Sequence, residues 1–282
     1  MRINTNINSM RTQEYMRQTQ DKMNTAMNRL SSGKRINSAA DDAAGLAIAT
    51  RMTAKKGGLE MGAKNTQDAM SSLRTADSAL GSISNILLRM RDLATQAATG
   101  TNNDTDRNSL DLEYQELTQE INHISDKTNF NGKAILAATG TDMKIQLSDV
   151  SEDTLEIKSV DAHVAKLVAG ALDATGAVAA APATDIKTDV NAGQAMRDID
   201  KAIQTVADMR ATYGSQLNRL DHNLNNVSSQ SINMGAAASQ IQDADMAKEM
   251  SEMTKFKILN EAGISMLSQA NQTPQMVSKL LQ

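Results

Sequence analysis

Three segments of this sequence repeat apolar residues at alternating spacings of four and three, and this pattern constrains the fold more than any other feature. A period of 3.5 residues is typical of α-helices that pack along one seam. A polar stretch, TGTNNDTDRNS (99–109), separates the first two segments, and the third lies far along the chain. We therefore predict an antiparallel coiled helical bundle to which the third helix returns. The repeating residues are Ala69, Leu73, Ala76, Leu80, Ile83, Leu87, Met90, Ala94 and Ala97; Leu110, Tyr114, Leu117, Ile121 and Ile124; and Ile199, Ile203, Val206, Tyr213, Leu217, Leu220, Leu224 and Val227, interrupted by Arg210.

The composition suits such seams. Of the 282 residues, 40% are hydrophobic but only 2% are aromatic, while methionine occurs 18 times. Small and flexible apolar side chains let helix backbones approach closely and fill irregular gaps. The sequence has no run of about 18 apolar residues, so it predicts no membrane-spanning helix.

Both ends of the chain have amphipathic helical patterns without a partner nearby in the sequence. Met16 and Leu30 belong to one apolar stripe near the start, and Phe256 belongs to another near the end. A lone amphipathic helix is marginal in water, because its stability comes mainly from packing. We expect the ends to pair with each other or to pack on another chain, and to become ordered on assembly. We also expect Asp243 to cap the last helix and Pro274 to break it.

The segment between the helical regions has a different pattern. Apolar residues alternate with polar ones in two short runs, which predicts short strands or a hairpin. These apolar residues are Met143, Ile145 and Leu147, followed by Leu155 and Ile157. An Ala/Gly/Thr-rich stretch follows at 168–185. We interpret residues 140–190 as a small peripheral insertion that is partly loop.

The sequence offers no arrangement of residues for catalysis or for binding a metal or cofactor. It has no cysteine, which excludes thiolate ligands and cysteine nucleophiles, and its three histidines are scattered without the spacing of a metal site. Carboxylate pairs such as Asp111 with Glu113 lie in a polar helical pattern, with no sign of an apolar pocket that would tune them. We therefore predict no catalytic, cofactor-binding or metal-binding residues and a protein that is not an enzyme. The net charge of −4 argues against nucleic-acid binding by the whole chain.

The stretch LSSGKRINSAADDAAGLAIATRM (30–52) poses a sharper question, because its glycine and basic residues could hold a phosphate and its aspartate pair a metal ion. A phosphate loop requires glycine at position 28 and serine or threonine at position 35, where this chain has Asn28 and Arg35. Acidic side chains also favour the N-terminus of a helix. We therefore interpret the stretch as a structural corner between two helices. Its defining residues are Gly33, Arg35, Asp41 and Asp42.

Several blocks of the sequence, in the family's order, resemble bacterial flagellin, the subunit of the flagellar filament. The blocks are MRINTNINSM, LSSGKRINSAADDAAGLAIATRM, NTQDAMSSLRTADSAL, ILLRMRDLATQAATGT, ISDKTNFNGKAIL, NRLDHNLNNVS, IQDADMAKEMSEMTKFKIL and SMLSQANQTPQMVSKLLQ. Together they cover residues 1–140 and 190–282. The chain looks like a small flagellin without large outer domains.

The resemblance implies a mainly α fold, an elongated antiparallel coiled helical bundle with paired N- and C-terminal helices plus a small β-hairpin and a variable insertion. Residues 1–42 with 240–282 would form a terminal coiled-coil domain in the filament core. Residues 43–140 with 190–239 would form a helical rod, and 141–189 a short, variable, surface-exposed insertion. The corner would be the spoke that joins the inner and outer layers.

The resemblance also implies the function, which is that of a structural subunit polymerising into the extracellular bacterial flagellar filament used for motility. Export through the flagellar type III apparatus would fit the lack of a signal-peptide pattern, and the partners would include the filament cap and the hook-junction proteins. An export chaperone would cap the C-terminal helix, from about Asp243 to Gln282, through side chains that can also serve filament-core packing. Those side chains are Met250, Phe256, Leu259 and Leu267.

A host partner is implied as well, because flagellin-sensing Toll-like receptors grip the family's LQRVREL segment. The matching stretch here is LLRMRDL (87–93), in which Leu88 and Asp92 replace glutamine and glutamate. The positions that match the family's receptor contacts are Arg89, Leu93 and, on the facing helix, Glu113. Ordinary filament contact is an equal alternative for these residues.

Two other classes of helical protein share part of the pattern. A hook–filament junction protein has helical termini but should match the LSSGKRIN, DDAAGLAI and MAKEMSE blocks poorly. A signalling bundle, such as the cytoplasmic part of a chemoreceptor, also has heptads and many alanines but would normally follow membrane spans. The ordered blocks favour the filament subunit over both.

Overall fold

The computed structural model describes residues 6–137, 142–169 and 185–280, with the backbone alone for 168, 169 and 273–280. The helices of this part of the chain are α1 (Ile7–Ser32), α2 (Ala43–Ala97), α3 (Asp104–Lys127), α4 (Val164–Ala169), α5 (Asp189–Gln242) and α6 (Met246–Leu280). The strands are β1 (Asn129–Phe130), β2 (Lys133–Ala134), β3 (Met143–Gln146) and β4 (Thr154–Ile157). The mainly α fold predicted from the sequence is confirmed.

The chain divides into two compact units, to which α2 and α5 both contribute. We call Gly57–Gln230 the central unit, and Met1–Lys56 with Ser231–Gln282 the terminal unit. The boundaries expected from the sequence, after residues 42 and 239, differ from these divisions, which fall within α2 and α5. The difference arises because the first turns of α2 and the last turns of α5 supply buried residues, such as Ala49 and Ala238, to the terminal unit.

One apolar core joins the helices of the central unit. All nine predicted seam positions of α2, from Ala69 to Ala97, are at most 1% exposed, and their cluster includes residues of α3 and α5. Arg91 pairs with Asp200, and Asp77 pairs with Arg210, each at 2.8 Å, so α2 and α5 run antiparallel. The heptad period therefore predicted the seam of α2 correctly, as well as the return of the third helix.

The register of α5 differs from the prediction at two turns. Ala202 is fully buried and Ile203 only partly, although Ile203 is the larger residue. Met209 takes the partly buried position next to Arg210, which is exposed and donates to Asp77 Oδ1 at 2.8 Å. The interruption in the repeat is therefore resolved by turning the guanidinium outwards, where it pairs with a carboxylate.

A short hairpin follows α3. Its strands β1 and β2 are antiparallel, and the two residues between them, Asn131 and Gly132, have φ values of 51° and 77°. These left-handed conformations match the two-residue turns that join twisted strands, and asparagine and glycine tolerate them best. The turn lies in the FNG stretch (130–132) of the block ISDKTNFNGKAIL, and the hairpin that the resemblance implied was expected after it.

A second hairpin, formed by β3 and β4, packs on α2 and confirms the strands predicted from the alternating pattern. Leu147, Leu155 and Ile157 are buried in the core, so the described part of 141–189 differs from the surface-exposed insertion that was expected. Burial follows because the apolar face of the hairpin needs a surface to cover it, and α2 supplies one. Residues 138–141 and 170–184, which include most of the Ala/Gly/Thr-rich stretch, lie outside the described residues.

The docking of this hairpin depends on a glycine of α2. A Cβ at Gly62 would lie 2.5 Å from Leu147 O, and nearby Asn65 Nδ2 donates to Gln146 O at 3.2 Å. We expect Gly62→Ala to lower the free energy of unfolding by about 2 kcal/mol, because the backbone of the hairpin must move. Denaturant unfolding would measure the change.

A matched control is available in the same helix. Apart from its chain neighbours and the nearby backbone of its own helix, nothing lies within 4 Å of a Cβ placed at Gly57. Gly57→Ala should therefore raise the free energy of unfolding by about 0.5–1 kcal/mol, through helix propensity alone. Equal stabilisation by both substitutions would show that Gly62 is not a docking contact.

His163, in the segment after β4, forms polar contacts with two residues of α3. Its Nδ1 lies 2.6 Å from Asp161 Oδ1 and 3.3 Å from Ser125 Oγ, and its Nε2 lies 3.2 Å from Asp126 Oδ1. Burial opposes protonation of this ring, but the hydrogen bonds and charges of Asp161 and Asp126 outweigh it and raise the pKa of His163.

A raised pKa in the folded protein means that protonated His163 stabilises the fold. This contribution is complete below the ordinary value of 6.5 and is lost as the pH rises through the folded-state pKa. We expect the free energy of unfolding to fall over this range, and His163→Gln to flatten that slope in urea titrations at a series of pH values. His222→Gln, which changes an exposed histidine of α5, provides the comparison variant for the substitution itself. An unchanged slope in His163→Gln would contradict this role.

The terminal unit contains an antiparallel pair of helices, α1 and α6. Asn260 Nδ2 donates to Gln20 Oε1 at 2.7 Å, and a Cβ at Gly263 would lie 2.8 Å from Met16 Cγ. The facing residues recur at spacings of three and four, as Ser9, Thr12, Met16, Thr19, Met23, Ala26 and Leu30 of α1, and Glu249, Met253, Phe256, Asn260, Gly263, Leu267 and Ala270 of α6. The predicted pairing of the two ends is thus present, with many small or polar residues along its seam.

Pro274 does not break α6, contrary to the prediction. The helix continues to Leu280, although proline has no N–H to donate to the carbonyl four residues earlier, which belongs to Ala270. Asn6 Nδ2 donates to that Ala270 oxygen at 2.9 Å, while Asn6 Oδ1 accepts from Ser9 N–H and caps α1. The side chain of the residue that caps α1 thus satisfies the carbonyl that proline leaves without its helical donor.

Asp243 does not cap α6 either. Asp245 Oδ1 accepts from the N–H groups of Ala247 and Lys248, so Asp245 is the N-cap. Asp243 instead accepts from Ser239 Oγ at 2.5 Å, at the end of α5. Asp243 and Asp245 are both residue types that can cap a helix, and only Asp245 binds N–H groups of the first turn. The helix therefore starts two residues later than predicted.

Candidate assembly site

The stretch between α1 and α2 forms a corner bonded to the α5–α6 connection. Gly33 ends α1 with a φ of 70°, a left-handed conformation that glycine adopts without strain. Arg35 N–H donates to Gln242 O at 2.7 Å, and the Arg35 guanidinium donates to Ile241 O at 2.9 Å. In the other direction, Ala244 N–H donates to Gly33 O at 2.9 Å. The α1–α2 connection and the α5–α6 connection, which are far apart in the sequence, are thus joined by backbone hydrogen bonds.

Both aspartates of the corner accept hydrogen bonds from nearby backbone. Asp41 Oδ2 accepts from Ser38 N–H at 2.9 Å and Asn37 N–H at 3.1 Å, and these bonds lower the pKa of Asp41. Asp42 Oδ1 accepts from Gly45 N–H at 2.9 Å and caps α2. Because local N–H groups occupy the two carboxylates, their geometry is that of a structural turn.

A charged pair lies in the seam between α1 and α6. Arg29 Nη1 lies 3.5 Å from Glu249 Oε1, and the Glu249 side chain is only 7% exposed. Arg29 Nε and Glu249 Oε2 have no hydrogen-bond partner among the described residues. Such a pair adds little net stability, but a shift of one helix along the other would leave a buried charge without its counter-ion. The pair therefore selects one register.

The helix pair leaves much apolar surface uncovered. Within its described side chains, only Ala26 and Glu249 are buried. Exposed large apolar residues flank the seam on both sides, as Ile7, Met10, Tyr15 and Met27 of α1, and Met246, Met250, Ile258, Leu259, Ile264 and Met266 of α6. A helix with apolar residues on several faces is typical of a buried position, and one partner helix covers only one of those faces.

The four α6 residues predicted to meet a chaperone or the filament core divide into two pairs. Phe256 and Leu267 are partly buried on the face that packs against α1. Met250 and Leu259 are 51% and 47% exposed on the flanks. The single stripe expected from the sequence is therefore a seam with apolar flanks.

The residues matched to a receptor contact lie in the central unit. Arg89 of α2 donates from Nε and Nη2 to Glu113 Oε1 of α3, at 2.9 and 2.7 Å, and both side chains are exposed. Leu93, one turn along α2, is 1% exposed and packs in the core. The structure thus brings Arg89 and Glu113 together at the surface, with Leu93 beneath it.

The other carboxylates considered from the sequence have structural partners. Asp111 is buried, accepts from Ile186 N–H at 3.0 Å and lies 3.6 Å from Lys187 Nζ. Among the described residues, no group of three or more histidine, aspartate or glutamate side chains could hold a metal ion. In the same part of the chain, no helix has the length and apolar character needed to span a membrane.

Sequence reasoning missed three residues that define the terminal pair. Asn6 bonds both helices, and Arg29 and Glu249 form the charged contact in their seam. The signal was present for Glu249, because it occupies a position of the α6 repeat, four residues before Met253, where an apolar residue is expected. A charged residue in a seam indicates a specific partner across it.

Fold and site together define a helical structural protein whose paired ends carry an uncovered apolar surface. Two family models match the chain, the bacterial flagellin N-terminal helical region over residues 3–141 and the bacterial flagellin C-terminal helical region over 196–281. Flagellin of Listeria monocytogenes serovar 1/2a is 46% identical over 100% of this chain and 99% of its own length. Flagellin of Bacillus subtilis strain 168 is 42% identical, with complete coverage of both.

One solved structure agrees with these relatives. The crystal structure of Bacillus cereus flagellin is 56% identical, covers 62% of this chain and 94% of its own, and has a TM-score of 0.50. The chain belongs to the bacterial flagellin family. It is a structural subunit of the flagellar filament, which is extracellular, and not an enzyme.

Proposed function

We propose that the α1–α6 pair is the surface through which this filament subunit polymerises. The observation that carries the proposal is the apolar surface on the flanks of the pair, including Met10, Tyr15, Leu259 and Met266. Covering such surface stabilises an assembly by about 25 cal/mol for each Å² removed from water. A subunit that presents different faces to its neighbours builds an open helix, because head-to-tail contacts need not close into a ring.

The same feature supports ordering of the ends on assembly. A pair of helices with so few buried side chains gains little from packing, while fixing its backbone costs about 1–2 kcal/mol per residue. Contacts with further copies would supply the missing burial, so folding of the ends is coupled to polymerisation. In this proposal the corner at Gly33, Arg35, Asp41 and Asp42 is the spoke, whose hydrogen bonds join the α1–α2 connection to the end of α5.

Hydrogen exchange of the free subunit and of the filament tests this coupling. We expect the amides of α1 and α6 to exchange rapidly in the free subunit and slowly in the filament. The amides of the Leu73–Ala94 seam should be protected in both states, and they serve as the internal control. Strong protection of α1 and α6 in the free subunit would contradict ordering on assembly.

We propose further that the subunit is secreted through the flagellar type III export apparatus and meets the filament cap and hook-junction proteins at the growing structure. An export chaperone would bind α6 before assembly. Met250 and Leu259 are exposed for such contact, whereas Phe256 and Leu267 face α1 and would become accessible only if the pair separates. Chaperone and filament neighbours would thus use the same helix in turn.

We propose that a host flagellin-sensing Toll-like receptor contacts the surface at Arg89 and Glu113, with Leu93 supporting it from beneath. The guanidinium and carboxylate already form a defined pair, so a receptor would meet them in a fixed geometry. We expect Arg89→Ala to weaken the response in a receptor reporter assay, because it removes the exposed cation and leaves Glu113 without its partner.

Arg210→Ala is a matched control, since it removes the guanidinium of a similar surface pair with Asp77. That variant should keep the full receptor response. Equal responses from the unchanged chain and Arg89→Ala would remove the receptor assignment and leave filament contact as the role of Arg89.

A further inference from the structure

Exposed methionines concentrate on the terminal helix pair. Six methionines of the described residues are exposed, and five of them lie on α1 or α6. These five, which we call the terminal methionines, are Met10, Met27, Met246, Met250 and Met266, with exposures between 48% and 64%. The sixth is Met61 of α2, whereas Met70 and Met90 are buried in the core of the central unit.

Together with Met61, these side chains are the exposed sulfur of the described residues. The chain contains no cysteine, so no thiol competes for an oxidant. A hydroperoxide transfers one oxygen to a thioether. The O–O bond breaks, an S–O bond forms, the sulfur is oxidised by two electrons, and the peroxide is reduced to water or an alcohol. The product, methionine sulfoxide, is polar and chiral and disrupts apolar packing, and methionine sulfoxide reductases reverse the reaction.

We propose that the terminal methionines form an oxidation site at which hydroperoxides convert the free subunit into a form that cannot join the filament. This inference rests on the proposed packing of the α1 and α6 flanks against other copies. Five sulfoxides would place polar groups on the surface that must be buried. The filament itself would be protected, because the same packing covers the sulfur atoms.

Hydrogen peroxide treatment of the full chain tests the site directly, with mass spectrometry of each methionine peptide. We expect the terminal methionines to oxidise faster than Met70 and Met90 in the free subunit, and more slowly in filaments than in the free subunit. Seeded polymerisation should be lost as oxidation proceeds and should return after treatment with methionine sulfoxide reductase. Oxidation of Met70 and Met90 at the same rate as the terminal methionines would overturn the proposal.

Variants separate the chemistry from other damage. A chain with leucine at all five terminal positions keeps apolar side chains of similar volume and should polymerise after peroxide treatment. Met61→Leu, with the five methionines present, should remain sensitive. Loss of polymerisation in the peroxide-treated five-leucine chain would overturn the proposal.

The five-leucine chain could fail to polymerise even without peroxide. In that case the test is whether the reductase restores polymerisation of the oxidised chain that carries all its methionines. Absence of that rescue overturns the proposal. If the α1–α6 pair were not the surface of polymerisation, the result would differ from those above. In that case, oxidation would map to the terminal methionines while seeded growth of the treated chain continued unchanged.

Discussion

Changing Glu249 to lysine is expected to abolish seeded polymerisation while leaving the unfolding of the central unit unchanged. The new ammonium group would face Arg29, whose Nη1 lies 3.5 Å from Glu249 Oε1, at a position where the side chain is only 7% exposed. Breaking a buried charge pair costs about 3–5 kcal/mol. The α1–α6 pair buries too few side chains to offset a loss of that size.

The charge swap is the decisive control for this prediction. Arg29→Glu combined with Glu249→Lys restores opposite charges and should recover a substantial part of the polymerisation that Glu249→Lys loses. Glu261→Lys makes the same charge change at an exposed position of α6 and should have a smaller effect. Sedimentation of filaments after seeding measures all three. A double variant no better than Glu249→Lys would show that the pair does not set the register.

Leu80→Ala is expected to lower the free energy of unfolding of the central unit by about 3 kcal/mol. Leu80 is fully buried at the middle of the α2 seam, so its truncation removes apolar contact and leaves a cavity. The exposed Leu112 of α3 provides a control of identical chemistry, since it is 69% exposed. Leu112→Ala should change the free energy of unfolding by no more than about 0.5 kcal/mol.

Denaturant unfolding followed by circular dichroism would measure both leucine variants. Equal losses from Leu80→Ala and Leu112→Ala would contradict the assignment of the α2 seam. A large effect of Leu80→Ala on stability, with polymerisation retained at low temperature, would show that the two units contribute separately to folding and assembly.

The sequence predicted the central seam well because one strong signal dominated it. Every seam position of α2 is filled by an apolar residue, so the 3.5-residue period allows a single buried face. In α5 the same period left two choices at adjacent residues, Ala202 or Ile203 and Met209 or Arg210. Packing against α2 and the ion pair with Asp77 decided between them, and neither is visible in the pattern.

The docking of the hairpin, the course of α6 and the bonds of the corner could not be predicted, because they depend on contacts between residues that are far apart in the sequence. The alternation in β3 and β4 indicated a half-buried hairpin. It did not indicate that the backbone after β3 would pack closely against Gly62 of α2. The proline rule predicted a break at Pro274, and only the contact of Asn6 with Ala270 O explains why α6 continues. In the candidate site, the corner was evident from a glycine and an aspartate pair, whereas its bonds to Ile241 and Gln242 were not.

Electron microscopy of seeded polymerisation tests the central claim most directly. The full chain should be compared with a version lacking residues 1–32 and 246–282, which removes α1 and α6 but retains the corner and the central unit. Cooperative unfolding of the shortened version would verify that its central unit is folded. Filaments from the full chain alone are the result that polymerisation through the terminal helices predicts. Filaments of the same form from the shortened version would contradict it and would place the assembly surface in the central unit.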